Sequence, residues 1–263
     1  MINYPKETNE KIYRAVFYHY YRAVGIYGED RVFGVFPYGS MNYGAFYEKS
    51  DVDTRVVIIP SLKEICEREK FINTEEEIEG NKVVYVDIRN FIRQLCNSSP
   101  AALEMIFSPF YYINPLYSDF YAEIYSNREE IGKMNIPKLL KACLGHMKSF
   151  SSSKRRTAKD AYHCNRLAYF CTELIKGESL ERCFITPKET NQIKCADTFG
   201  DEVYEQFLIS AESVVPQVQN YIDNVSVDSE TLTKMIDIIY DVLYSTIMKA
   251  LFQTMGADLN ENN

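Results

Sequence analysis

The stretch YGSMNYGAFYEKSDVDTRVVIIP, residues 38–60, sets Gly39 and Ser40 ahead of two aspartates, Asp51 and Asp53, that lead into a run of β-branched residues. TRVVIIP is a continuous apolar run closed by Pro60, the pattern of a strand buried on both faces. Side chains alternate along a strand, so Asp51 and Asp53 share a face, with Cα atoms roughly 6.6 Å apart. Two such carboxylates can share one hard cation, and magnesium commonly binds through one or two carboxylates together with substrate phosphates. Gly39 lets the backbone approach a phosphate closely, and the amide and hydroxyl of Ser40 can donate to its oxygens. A Gly-Ser pair alone is a turn and SDVD alone is a solvated loop. Between one strand and the next, the two together point to a site for a metal-bound nucleotide.

Outward from this stretch, apolar residues Ile12, Ala15, Val16, His19, Tyr20 and Val24 recur at near-helical spacing, which predicts a helix over residues 8–27 ending at Gly28. RVFGVFPYG follows as a strand. On the other side, Ser61 and Glu64 form a capping box that opens the helix SLKEICEREKF. TEEEIEGNK reads as a polar turn around Gly80, KVVYVD as a third strand, and DIRNFIRQLC as the helix after it. Beyond residue 116 the segments 134–150, 157–177, 200–225 and 229–256 all carry amphipathic helical periodicity. The expected fold is therefore α+β: a mixed sheet with flanking helices over residues 1–115, then a helical domain over 116–263. No Gly- or Ser-rich linker separates the halves, so the helices are expected to pack directly on the sheet and over a cleft.

The 263 residues carry 29 basic and 37 acidic side chains, a net charge of −8, which excludes a general polyanion binder and confines any nucleic-acid contact to a local basic patch. That patch is KSFSSSKRRTAK, with Lys148, Lys154, Arg155, Arg156 and Lys159 as a candidate contact for the phosphates of an RNA or DNA end. No window approaches the roughly 18 apolar residues of a membrane span, and no apolar signal core opens the chain, so a soluble, cytoplasmic protein is expected. Seven cysteines with no C-x-x-C pair suggest reduced thiols. The 21 tyrosines and 15 phenylalanines, with no tryptophan, are read as packing residues.

The succession strand, GS, about ten residues, DVD, strand resembles the nucleotidyltransferases of the DNA polymerase beta superfamily. Within it, YGSMNYGAFYEKSDVDTRVVIIPSLKEI, DIRNFIRQLCNSSPAALEMIF and KDAYHCNRL resemble a group found in phages and bacteria, some members of which are associated with RNA repair. The resemblance spans about residues 30–185 and is strongest over 38–64. It implies transfer of a nucleotidyl group from a nucleoside triphosphate, with two Mg²⁺ or Mn²⁺ ions held by three carboxylates, in the cytoplasm of a bacterium or a phage-infected cell. Asp51 and Asp53 match the first two carboxylates. For the third, Asp87 at the end of KVVYVD is the candidate, although it is equally placed to cap the following helix. Relatives can carry an acidic residue slightly earlier on that strand, at the level of Val84.

In the helical half, Lys159, His163 and Arg166 recur at i, i+4 and i+7, one helical face, and would suit a triphosphate if that face lines the cleft. Glu104 lies amid apolar residues and is expected to pair with Arg89 or Arg93. His19 and His146 read as packed helix residues. The expected activity is metal-dependent nucleotidyl transfer to an acceptor hydroxyl on an RNA or other nucleic-acid end. A protein hydroxyl as acceptor, or a non-catalytic nucleotide-binding role, are the alternatives.

Overall fold

A computed structural model describes residues 2, 4–47, 50–67, 72–152, 157–194 and 201–261, the side chains of 194, 201–203 and 254–261 excepted. Helix α1 (Lys6–Tyr27) precedes strands β1 (Val32–Pro37) and β2 (Thr54–Ile58), helix α2 (Leu62–Cys66), strands β3 (Asn73–Ile78) and β4 (Asn81–Asp87), helices α3 (Ile88–Cys96) and α4 (Pro100–Phe107), and strand β5 (Tyr112–Ile113). Then follow α5 (Ser118–Ser126), α6 (Arg128–Lys133), α7 (Ile136–Ser151), α8 (Ala158–Ile175), α9 (Leu180–Phe184), α10 (Lys188–Lys194), α11 (Asp201–Glu212), α12 (Val215–Asn224) and α13 (Ser229–Glu261). The architecture is α+β, a mixed five-stranded sheet followed by a helical half, as the periodicities predict.

The strands lie in the order β3-β4-β2-β1-β5, with β2 and β4 parallel and the other neighbours antiparallel. The parallel pair needs a crossover, which α2 begins, its Ser61–Glu64 capping box formed in full. Two strands escaped the sequence reading. TEEEIEGNK turns only at Glu79 and Gly80: residues 73–78 form β3, an edge strand whose Glu75, Glu76 and Glu77 are matched in register to Val84, Val83 and Lys82. Acidic residues are compatible with an edge, where one flank of the strand stays in water. β5 pairs with β1 where Gly34 lies; a Cβ there would meet the Tyr112 carbonyl at 2.8 Å. The segment 200–225 is also two helices rather than one, because Pro216 starts α12 and supplies no amide to continue α11.

The two faces of the sheet belong to two cores. One face, with Val35, Val56, Ile58, Val83 and Tyr85, packs on Ile12, Val16, Tyr20 and Ala23 of α1. The other, with Phe36, Val57 and Val86, continues through α3 and α4 into Leu140, Tyr162, Leu174 and Ile239 of the helical half. A bulge between Val32 and Gly34 in the β1–β2 ladder lets Phe33 join the second core while Val32 joins the first. Among the described residues no helix is long and apolar enough to cross a membrane. The six described cysteines are free thiols; Cys195 lies outside the described residues.

His19 is fully buried in α1, as expected, and its Nδ1 is 2.9 Å from Thr54 Oγ1, directly beneath the strand that carries the aspartates. Burial lowers its pKa from 6.5 to about 4, against a smaller opposing effect of Glu76. The group is depressed in the folded chain, so below pH 6.5 the unfolded chain binds the extra proton. Its contribution is therefore fully present above pH 6.5 and is lost as pH falls towards 4. Chemical denaturation followed from pH 7 to pH 4 should show a loss of about 1.4 kcal/mol per pH unit inside that window for this one group. His19→Gln should remove that part of the slope; an identical slope in the variant would contradict the assignment.

Candidate active site

A cavity of about 550 Å³ opens between the Asp53 end of β2, the first turn of α4 and the inward face of α8. Gly39, Ser40, Asp51, Asp53, Lys159, His163 and Arg166 all line it. Asp87 does not.

The Gly-Ser turn is built by backbone geometry. Gly39 has φ 98° and ψ −144°, a conformation that side chains disfavour even where, as here, the space is open. Asn42 holds the turn, its amide donating to the Gly39 carbonyl at 3.0 Å and its Nδ2 to the Pro37 carbonyl at 2.8 Å. The Ser40 carbonyl is occupied by Tyr4 Oη and the Ala45 amide. Among the described residues the Ser40 hydroxyl has no partner, so it is available to a ligand.

Asp51 is exposed and Asp53 half-buried. Asp53 Oδ1 accepts the Lys82 amide at 2.8 Å, while its carbonyl accepts the Tyr38 amide at 3.0 Å and so continues the ladder past the end of β2. Burial raises the Asp53 pKa; the Lys82 amide opposes the shift and the nearby Asp51 charge adds to it. Two close carboxylates, one partly desolvated, fit a single divalent cation completed by substrate oxygens.

The three-carboxylate expectation fails on register. Thr54 pairs with Val83 and Ile58 with Asp87, so Asp87 is level with the far end of β2, five residues or about 16 Å from Asp53. It is fully buried, its Oδ1 accepts the Arg89 amide at 2.8 Å as the N-cap of α3, and its Oδ2 binds Arg89 Nη2 at 2.6 Å. On β4 the residues facing the same way as Asp53 and Arg55 are Lys82 and Val84, neither of them an acid. Among the described residues no three His, Cys, Asp or Glu side chains converge on a metal position.

Glu104 is a second correction. Only 8% exposed, it pairs with neither Arg89 nor Arg93. Its Oε1 accepts the Gly39 amide at 2.5 Å and Asn42 Nδ2 at 3.2 Å, so it anchors the Gly-Ser turn from α4. Arg89 is committed to Asp87, and Arg93 Nη2 donates to Asn90.

From the helical side, α8 starts with a capping box between Thr157 and Asp160 and presents Lys159, His163 and Arg166 to the cavity. The His163 ring stacks on Phe150 at 4.7 Å, and the Arg166 guanidinium lies 4.0 Å from the centre of the Tyr43 ring. His146, read from sequence as a packed residue, is exposed and also lines the cavity. The basic residues Lys154, Arg155 and Arg156 lie outside the described residues.

Sequence reading missed Arg55. It shares the parity of Asp51 and Asp53, and a lone guanidinium inside TRVVIIP has to face something polar, which was the available signal. The aromatic walls Tyr38, Tyr43, Tyr162 and Phe184 were missed as well, since rings from three separate segments meet only in the fold.

Residues 32–182, from β1 into α9, match the sequence profile of RlaP, described as the RNA repair pathway DNA polymerase beta family. The chain belongs to that family. It is accordingly a nucleotidyltransferase of the DNA polymerase beta superfamily, and the matched span takes in both the sheet and the α8 walls of the cavity. No curated protein matches the chain significantly. Among solved structures, a crystal structure of a nucleotidyltransferase-like protein from Exiguobacterium sibiricum 255-15 is distantly similar. It aligns over 92% of this chain and 79% of that one, at 11% identity and a TM-score of 0.32.

In this family member Glu104 should act through its acceptor oxygen. Glu104→Ala strands the Gly39 amide and should cost about 2 kcal/mol in urea denaturation. Glu104→Gln keeps a carbonyl oxygen for both donors and should cost about 1 kcal/mol or less. Equal losses in the two variants would count against the anchoring role.

Proposed function

We propose that the chain transfers a nucleoside monophosphate from a nucleoside triphosphate to an acceptor hydroxyl on an RNA or other nucleic-acid end, with Mg²⁺ or Mn²⁺ required. The observation that carries this reading is the meeting of the Gly39–Ser40 turn, the Asp51–Asp53 pair and the α8 residues Lys159, His163 and Arg166 around one cavity. The family description, RNA repair pathway, favours an RNA acceptor over a protein one.

In the transfer, the acceptor oxygen bonds to the α-phosphorus, the bond from that phosphorus to the α–β bridging oxygen breaks, pyrophosphate departs and the hydroxyl proton is released. A divalent cation held by Asp51 and Asp53 would neutralise charge on the reacting phosphate. The Ser40 hydroxyl and amide would donate to the phosphate tail, oriented by the turn that Glu104 and Asn42 hold. Lys159 and Arg166 would balance the outer phosphates from the facing helix. Tyr43 and Phe184, stacked with ring centres 6.5 Å apart, are buried in the cavity wall and support the Arg166 guanidinium, which lies over the Tyr43 ring. Lys154, Arg155 and Arg156 remain the proposed contact for the acceptor backbone.

Each labelled nucleoside triphosphate, incubated with Mg²⁺ or Mn²⁺ and with RNA, DNA and protein acceptors, tests the reading. Label is expected on a nucleic-acid end, and Asp51→Asn or Asp53→Asn should abolish it with the fold unchanged. Label found only on protein would move the acceptor to a side-chain hydroxyl. Ser40→Ala should weaken triphosphate binding about tenfold, the loss of one hydrogen bond to a charged group. Lys159→Gln or Arg166→Gln should weaken triphosphate more than monophosphate binding, as measured by calorimetry.

A further inference from the structure

Arg55 has no part in the expected two-ion scheme, yet it occupies the floor of the cavity. It stands two residues beyond Asp53 on β2 and leaves the same face of the sheet. Its Nη1 donates to the Ala101 carbonyl at 2.9 Å, and its guanidinium carbon lies 4.5 Å from the centre of the Tyr38 ring. One hydrogen bond and one stacking contact thus fix the plane of the group, while Nε and Nη2 have no acceptor among the described residues.

Beside it, β4 offers a second cation no ligand. Val84 is level with Arg55, and Lys82, whose amide already binds Asp53, carries its ammonium to Glu75 at 2.6 Å. A second divalent ion there would meet an apolar side chain, an ammonium and a guanidinium, while the nearby acids are already engaged, Glu75 by the Lys82 ammonium and Glu104 by the Gly39 amide. The charge that such an ion would supply is already present in fixed form. A guanidinium is planar, permanently protonated and suited to gripping two phosphate oxygens at once.

We propose that this site takes one divalent cation, between Asp51 and Asp53, and that the Arg55 guanidinium supplies the second positive charge by donating to phosphate oxygens of the bound triphosphate. The inference rests on the triphosphate reading given above. It separates this chain from a site in which three carboxylates hold two ions.

Two measurements on the full chain test it. Free Mn²⁺ is titrated by electron paramagnetic resonance against the chain saturated with a triphosphate whose α–β bridge is a non-hydrolysable methylene. One Mn²⁺ per complex is expected, and two would overturn the proposal, with Glu75→Gln then identifying whether β3 supplies the extra ligand. Separately, binding of inorganic tripolyphosphate is measured in EDTA, where no cation contributes. The parent chain should bind, Arg55→Gln should bind about tenfold more weakly, and Arg55→Lys should recover part of the loss. Asp51→Asn should bind at least as well as the parent, because it removes a repelling charge. Unchanged tripolyphosphate affinity in a folded Arg55→Gln chain would overturn the Arg55 role alone. Absence of any binding of nucleoside triphosphate to the parent, with or without Mn²⁺, would instead overturn the triphosphate reading and this inference with it.

Discussion

The double burial of β2 is the constraint on which the rest of the molecule depends. Strand β2 lies between β1 and β4, with α1 under one face and α3, α4 and the helical half over the other. Every alternate side chain therefore has its environment dictated: Val56 and Ile58 go down onto α1, and Val57 goes up into the larger core. Polar residues on the upward parity can survive only where that core ends, and there Asp51, Asp53 and Arg55 emerge into the cavity. Thr54, on the downward parity, is buried and is matched by His19, which is kept neutral by burial.

The parallel register of β2 and β4 then decides what the site contains. Because Thr54 is level with Val83, the start of β4 faces the aspartates and its end faces the opposite rim of the sheet. The acid at that end, Asp87, serves α3, where an N-cap and a buried pair with Arg89 use both of its oxygens. A carboxylate so committed is costly to withdraw, since its partner would be left charged and largely buried. The cavity is left with Asp51 and Asp53 leading into one strand, Glu104 engaged with the Gly39 amide, and basic groups on the walls around them.

The α4 turn links the two halves of the site. Glu104 reaches back across 65 residues of chain to the Gly39 amide, and Ala101 on the same turn accepts Arg55. A shift of α4 would move the phosphate turn and the guanidinium together. The helix itself is fixed between the sheet and the helical half, with Leu103, Met105 and Ile106 buried in the shared core. The helical half thus closes the cavity and also determines where the sheet's polar groups point.

Much of this was legible in the sequence. The apolar run 54–60, the parity of Asp51 and Asp53 and the capping box at Ser61 follow from strand alternation and local backbone hydrogen bonding, which operate over a few residues. The helical face Lys159, His163, Arg166 is likewise fixed by spacing alone. Which way that face points was not, because nothing local decides whether a basic stripe meets solvent or a cavity. β3 was hidden because an acidic edge strand lacks the alternation that a half-buried strand shows, and its pairing with β4 alone makes it a strand. Glu104 and Asp87 each had a plausible partner by composition, and the fold gave them others. Partner choice over tens of residues is set by strand register and helix docking, so only the tertiary structure decided that one acid would anchor a glycine and the other would cap a helix.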